Sequence, residues 1–160
     1  MSCDQRFSEL ARELGNDFNG EIKIGGNYTP VQRDGDQLWV SGQIPRVGDE
    51  VLHVGAVGDA LDLAQGRQAA AICAMRALTF LRRAAGSLDA IAGVLRITVY
   101  VRSAPGFTQQ SEVADGASDV LVHVLGQCGV HTRTSVGVLQ LPKGAAVELD
   151  LVATVKADVA

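Results

Sequence analysis

Three stretches of this sequence hold residues whose types and spacing could do chemistry. In Val147-Glu148-Leu149-Asp150 two acids stand two positions apart, so on a strand they share a face. Glu148 could there orient or deprotonate a water. The same pair could equally serve cross-strand charge pairing, with Arg133 and Arg96 as available partners. Arg133 lies in His131-Thr132-Arg133-Thr134-Ser135-Val136-Gly137-Val138, at the entry to a strand. Near a sheet edge or an interface its guanidinium can fork onto a carboxylate in two parallel hydrogen bonds, and a structural ion pair is its other use. The third stretch, Ser41-Gly42-Gln43-Ile44-Pro45, directly follows a strand. Alone it reads as a strand-to-loop exit, because it lacks the repeated glycines and the lysine of a phosphate loop.

The remaining reactive residue types are scattered. His53, His123 and His131 form no pair with metal-ligand spacing, and surface or partly buried roles are expected for each. No nucleophile-elbow pattern supports a Ser-His-Asp triad. Cys3, Cys73 and Cys128 are odd in number, far apart and outside any CxxC or Cys/His cluster. That usage fits a reduced, cytoplasmic protein, with Cys73 a core residue.

The elements that must position these residues can be read from periodicity. Residues 6–14 place Phe7, Leu10, Ala11 and Leu14 on one helical face, and Gly15-Asn16 stops that helix. Strands over 29–33 and 37–41 flank Asp34-Gly35-Asp36, a hairpin signal. Leu38 and Val40 alternate there with Gln37, Trp39 and Ser41. Residues 42–60 are rich in loop formers, with one short strand expected near 52–54. A long helix is expected over 61–85, with Ala71, Ala74, Met75, Leu78, Leu81 and Ala85 on its apolar stripe and Gly86 as its stop. A strand over 93–101 should turn Leu95, Ile97, Val99 and Val101 one way and Arg96, Thr98 and Tyr100 the other. A second long helix covers 108–126. Two closing strands, 133–139 and 146–155, are joined by a turn at Pro142-Lys143-Gly144 as a last hairpin. Val147, Leu149, Leu151, Ala153 and Val155 share one face of the final strand.

Two strand–helix–strand crossovers imply some parallel pairing, and the hairpins imply antiparallel pairing. The expected architecture is α+β: a mixed β-sheet with two long helices on one face. The other face, carrying Trp39, Thr98, Tyr100, Glu148 and Asp150, is too mixed for a plain solvent face, so cover by another subunit is expected. The chain reads as a single domain over 1–160, with 1–24 as a helical N-terminal extension.

Composition narrows the function classes. The chain has 160 residues, 47% hydrophobic and 4% aromatic, enough for one packed domain built largely from small and branched side chains. A formal net charge of −4 argues against a general nucleic-acid surface. The apolar runs are far shorter than the roughly 20 residues of a membrane span. The opening MSCDQRFSEL has no apolar core of a secretory signal.

Taken together, several pieces resemble the YjgF/RidA family, also labelled endoribonuclease L-PSP-like. They are Tyr28 ahead of Ser41, the run SGQIP at 41–45, RITVYV at 96–101, RTSVGVLQLPK at 133–143 and VELDLVA at 147–153. The resemblance implies a chorismate-mutase-like fold and a homotrimer whose sheets form a central barrel, with sites in the clefts between subunits. It implies substrate-binding roles for Arg133, which would hold a substrate carboxylate, and for Ser135. It implies catalytic roles for Glu148 and Tyr28, which would place the water and the amino group. Ser135 stands where many members have cysteine, and Ser111 stands near a frequent asparagine. The N-terminal helix and ADGASDVL at 114–121 mark a divergent branch.

The implied activity is hydrolysis of 2-imino or enamino acids to a 2-keto acid and ammonia, with neither metal nor organic cofactor. The implied partners are a small carboxylate-bearing imine or enamine and two further copies of the chain, with no nucleic acid and no membrane. A non-catalytic small-carboxylate sensor is the alternative from another class. An endoribonuclease fits less well with the acidic charge and the lack of a histidine pair. A chorismate-mutase-like isomerase would need more cationic groups than these stretches supply.

Overall fold

The structure is a computed structural model, and it describes residues 1–158; positions 159 and 160 of the expected domain lie outside the described residues. Helix α1, Cys3–Leu14, begins earlier than its apolar periodicity suggests. Ser2 caps the backbone N–H of Gln5, and the Gln5 side chain caps Ser2 in return, which satisfies two otherwise orphaned donors. Gly15 then ends the helix in the left-handed region at φ 71°, which costs glycine little. Phe7 and Ala11 bury the inner face, while Leu10 and Leu14 are partly buried against the core. Phe7 meets Phe18 edge-on with ring centroids 6.3 Å apart, and the Arg82 guanidinium stacks 4.5 Å from the Phe7 centroid.

Strands β1 (Val31–Asp34) and β2 (Gln37–Gln43) form the hairpin that Asp34-Gly35-Asp36 announced, with Gly35 at positive φ. The expected strand at 52–54 is not there. A two-stranded ribbon instead joins β3 (Arg46–Val47) to β4 (Glu50–Val51) around Gly48, itself at φ 60°. Val54 makes only an isolated bridge to Ala145. Helix α2 runs Leu63–Ala85, capped by an Asp62/Gln65 box and ended by Gly86. Its expected stripe is buried, apart from half-buried Ala85.

A 3-10 turn at Leu88–Ala90 leads into β5, Ile91–Arg102. The expected alternation of β5 holds for Ile97, Val99 and Val101 but fails at Leu95, which is 45% exposed while Val94 is buried. The ladder between β5 and the last strand, β7 (Val147–Val155), slips between Val94 and Arg96. Such a bulge inserts one residue and reverses the inward–outward phase before it. Helix α3 is Gln110–Leu125, and β6 is Thr132–Val138.

The five-stranded sheet has the order β1-β2-β7-β5-β6. The anticipated last hairpin is therefore corrected: β6 does not pair with β7 but runs parallel to β5 at the sheet edge, and β7 lies antiparallel between β2 and β5. The side chains explain the division. Val147, Leu149, Leu151, Ala153 and Val155 are all buried, so a central position pairs both backbone edges of β7 beneath the helices. No residue of β6 is fully buried, which suits an edge. Of the two expected crossovers, β5–α3–β6 joins adjacent parallel strands, and β2–α2–β5 joins strands separated by β7. Both long helices contact the same sheet and each other. The result is the mixed α+β sheet-and-helix architecture that the sequence implied.

No helix among the described residues is long and apolar enough to cross a membrane.

Candidate active site

Glu148 alternates with buried Val147 and Leu149, so β7 turns it, like Asp150, to the sheet face away from the helices. Its carboxylate comes to rest on the backbone of Gly42 at the end of β2. The ladder between β2 and β7 slips between Val40 and Gln43, which lets the strand end open here into a concavity. That cavity, of about 320 Å³, is lined by Glu148, Tyr28, Gly42, Gln43, Ile44, Phe80 and Pro142, and by the cations Lys23, Arg46, Arg76 and Lys143. Its size falls in the range of small-molecule sites.

Glu148 has no hydrogen-bond partner or ion-pair partner within the described residues. Partial burial pushes its carboxyl above the usual glutamate range, and the nearby Asp150 charge pushes the same way. Asp150 is itself held by the Tyr100 hydroxyl, which donates to Oδ2 at 3.0 Å. A carboxylate that is desolvated, unpaired and facing a cavity is a suitable proton acceptor for a bound water. Tyr28 reaches the same cavity from the segment preceding β1 and is about half exposed. Lys143 sits at the rim with non-glycine backbone at φ 58°, a left-handed conformation that costs about 1 kcal/mol or more.

Arg76 is the least expected member. It lies on α2 four residues after Ile72 and four before Phe80, on an otherwise apolar face, and is 5% exposed. Its Nε–H donates to Gln43 Oε1 at 3.2 Å and its Nη1 to the Arg46 carbonyl, so both partners are neutral. Burial lowers its pKa, since desolvation disfavours the charge. Sequence reasoning passed over Arg46 and Arg76 as binding groups. The available signal was an arginine in the middle of a helix stripe too apolar to be a solvent face.

The four residues singled out from the sequence fall into two groups. Tyr28 and Glu148 line one cavity; Arg133 and Ser135 do not. Arg133 lies on β6, two strands from β7, about 10 Å across the sheet. It turns to the helix side, where Nη1 donates to Asp115 Oδ1 at 2.8 Å and to Ser118 Oγ at 2.9 Å. Its Nη2 donates to Ser111 Oγ at 2.9 Å and to the Ser111 carbonyl at 3.2 Å. The ion pair weighed for Arg133 is thus real, but its partner is Asp115 on α3 rather than Glu148. Arg96 likewise bonds Thr134, not an acid. Ser118 also contacts His131 Nε2 at 2.9 Å, and His131 Nδ1 lies 2.6 Å from the Gly129 carbonyl, which gives that histidine a structural role. Cys73 is fully buried under the sheet, and burial pushes its thiol pKa up, as a core residue requires.

Comparison with known proteins agrees with the fold and the sequence pieces. Residues 14–153 match the family described as "YjgF/chorismate_mutase-like, putative endoribonuclease", and the chain belongs to this family. Protein TCP17 of Trypanosoma cruzi is 43% identical over 125 residues, which cover 78% of each chain. The crystal structure of Atu1372 from Agrobacterium tumefaciens, a protein of unknown function, is 33% identical; it covers 96% of this chain and 92% of that one, with a TM-score of 0.84. A Shewanella oneidensis protein described as "a putative endoribonuclease" shares the fold with a TM-score of 0.89 at 24% identity, covering 97% of this chain and all of the other. Most of α1 precedes the residues matched to the family.

Proposed function

We propose that this protein hydrolyses the imines of small 2-amino acids, in clefts formed between the subunits of a homotrimer. The carrying observation is Glu148: an unpaired, half-buried carboxylate with a raised pKa, set in a small cavity beside Tyr28 and among cations. In this reading a protonated 2-imino acid enters the cavity. Water adds to the C=N carbon while Glu148 takes one of its protons. Glu148 then returns that proton to nitrogen. The C–N bond breaks, the carbinol oxygen becomes the keto oxygen, and its proton leaves with ammonia as ammonium. Tyr28 orients the amino group. The iminium is electrophilic already, so the protein contributes chiefly orientation and a base.

The subunit arrangement is supported by what a single chain leaves unfinished. Arg133 and Ser135 stand on an edge strand whose outer side is unpaired. Trp39 and Val136 are exposed on the sheet face opposite the helices, at 53% and 40%. Three copies packed through these faces would bring Arg133 of one subunit to the Glu148 cavity of the next. The substrate carboxylate would then share the guanidinium with Asp115.

The test is the decay of 2-iminopropionate, generated in place by an amino-acid oxidase, with the wild type and with Arg133→Ala. Acceleration that depends on Arg133 supports the reading. A folded trimer without acceleration refutes it and leaves carboxylate sensing.

A further inference from the structure

We infer that Arg46 and Arg76 form a second anion subsite in the Glu148 cavity, and that the substrate taken there is the imine of a dicarboxylic amino acid. The inference rests on the imine-hydrolysing reading, to which it adds the substrate class.

Two independent observations point to an absent anion. Arg76 is buried, and neither of its hydrogen-bond partners carries a charge. A buried cation left without a counter-charge is costly, and proteins normally pair it. Arg46 lines the same cavity, and its buried Nε has no hydrogen-bond partner. Buried donors are satisfied in most folded proteins, so this orphan marks a guanidinium whose polar demand the chain itself leaves unmet. The two arginines are also neighbours whose charges oppose each other. Lys23 and Lys143 add two further cations to the lining, of which Lys23 is paired with Asp49. Glu148 is the one carboxylate of this wall among the described residues, while Asp17 and Glu21 line a second cavity that the two arginines share. A chain with a net charge of −4 has thus concentrated positive charge at one point.

A planar carboxylate matches the fork of a guanidinium, and two such groups can hold one carboxylate between them. If Arg133 of the adjoining subunit takes the carboxylate next to the imine carbon, Arg46 and Arg76 are left for a second one. The cavity, about 320 Å³, suits a short-chain diacid. A terminal phosphate shares the recognition chemistry, so the experiment includes a phosphonate.

The experiment is calorimetric titration of the intact protein with succinate, glutarate, butyrate and 3-phosphonopropionate, repeated with Arg46→Gln. Arg46 is the chosen variant because its guanidinium makes no hydrogen bond or ion pair among the described residues and acts on Asp49 only through its charge, whereas Arg76 ties α2 to β2 and β3. The expected result is that a diacid binds at least about tenfold tighter than butyrate, a gap that Arg46→Gln largely closes. Equal binding of diacid and monoacid, or a preference unchanged in Arg46→Gln, overturns the subsite. Tighter binding of the phosphonate than of either diacid overturns the dicarboxylate assignment. Imine decay is measured in parallel. A diacid preference without hydrolysis of any imine sinks the catalytic reading and leaves the subsite standing. Hydrolysis of alanine- and glutamate-derived imines at equal efficiency, with equal binding, does the reverse.

Discussion

Glu148 on β7 folds its carboxylate onto the backbone of Gly42 on β2, so closely that a Cβ at position 42 would overlap Glu148 Oε1. Gly42 has no positive φ, so its requirement is space, not backbone conformation. Gly42→Ala is therefore expected to keep the fold and displace the carboxylate. Imine hydrolysis should fall by about tenfold or more in kcat, a loss of fixed geometry, while the thermal midpoint changes little. Unchanged kcat would show that the carboxylate position does not matter.

Glu148 also sets a pH dependence. As a base it works ionised, and its pKa lies above that of an ordinary glutamate because of burial and the Asp150 charge. The rate should thus fall with acidification at a higher pH than an unperturbed glutamate would give. Glu148→Gln should cost about 10²–10⁴ in rate and remove that limb of the profile.

The same shift has a stability consequence. A raised carboxyl pKa means that the folded state holds its proton more tightly than the unfolded state. Stability therefore declines as pH rises from the unfolded pKa through the folded one, and ionised Glu148 is a cost at neutral pH. Glu148→Gln should accordingly melt at or above the wild-type temperature at pH 7, and the gain should vanish in acid. A lower melting point at pH 7 would mean that Glu148 has a structural partner.

Helix α1 should act as a fastener for the helical layer. Phe7 is 1% exposed, and Arg6 Nε donates to the Val124 carbonyl at 2.8 Å, joining α1 to α3. Phe7→Ala should cost about 3 kcal/mol or more, read by chemical denaturation. A loss of only a few tenths would make α1 an independent appendage.

Much of this was legible in the sequence, and the exceptions have physical causes. The apolar alternation of β7 and the stripe of α2 follow from burial on one face, so they read directly. The phase error at Leu95 arose because a bulge is set by the partner strand, which no single stretch contains. The false last hairpin came from short sequence separation, whereas the central place of β7 is decided by how much apolar surface it must bury. For the site, Tyr28 and Glu148 could be named because the motif order carries them. The Arg133–Asp115 pair and the Arg46–Arg76 neighbourhood could not, because each depends on packing between elements distant in sequence.

The central claim is that Arg133 of one subunit and Glu148 of the next make one site, and mixed trimers test it directly. Arg133→Ala and Glu148→Gln chains, each inactive alone, are co-refolded in equal amounts and assayed for imine hydrolysis. In a closed ring of three, random mixing places an intact Arg133 beside an intact Glu148 in roughly a quarter of the clefts, so about a quarter of the wild-type rate should return. No recovery from verified mixed trimers would contradict a shared site.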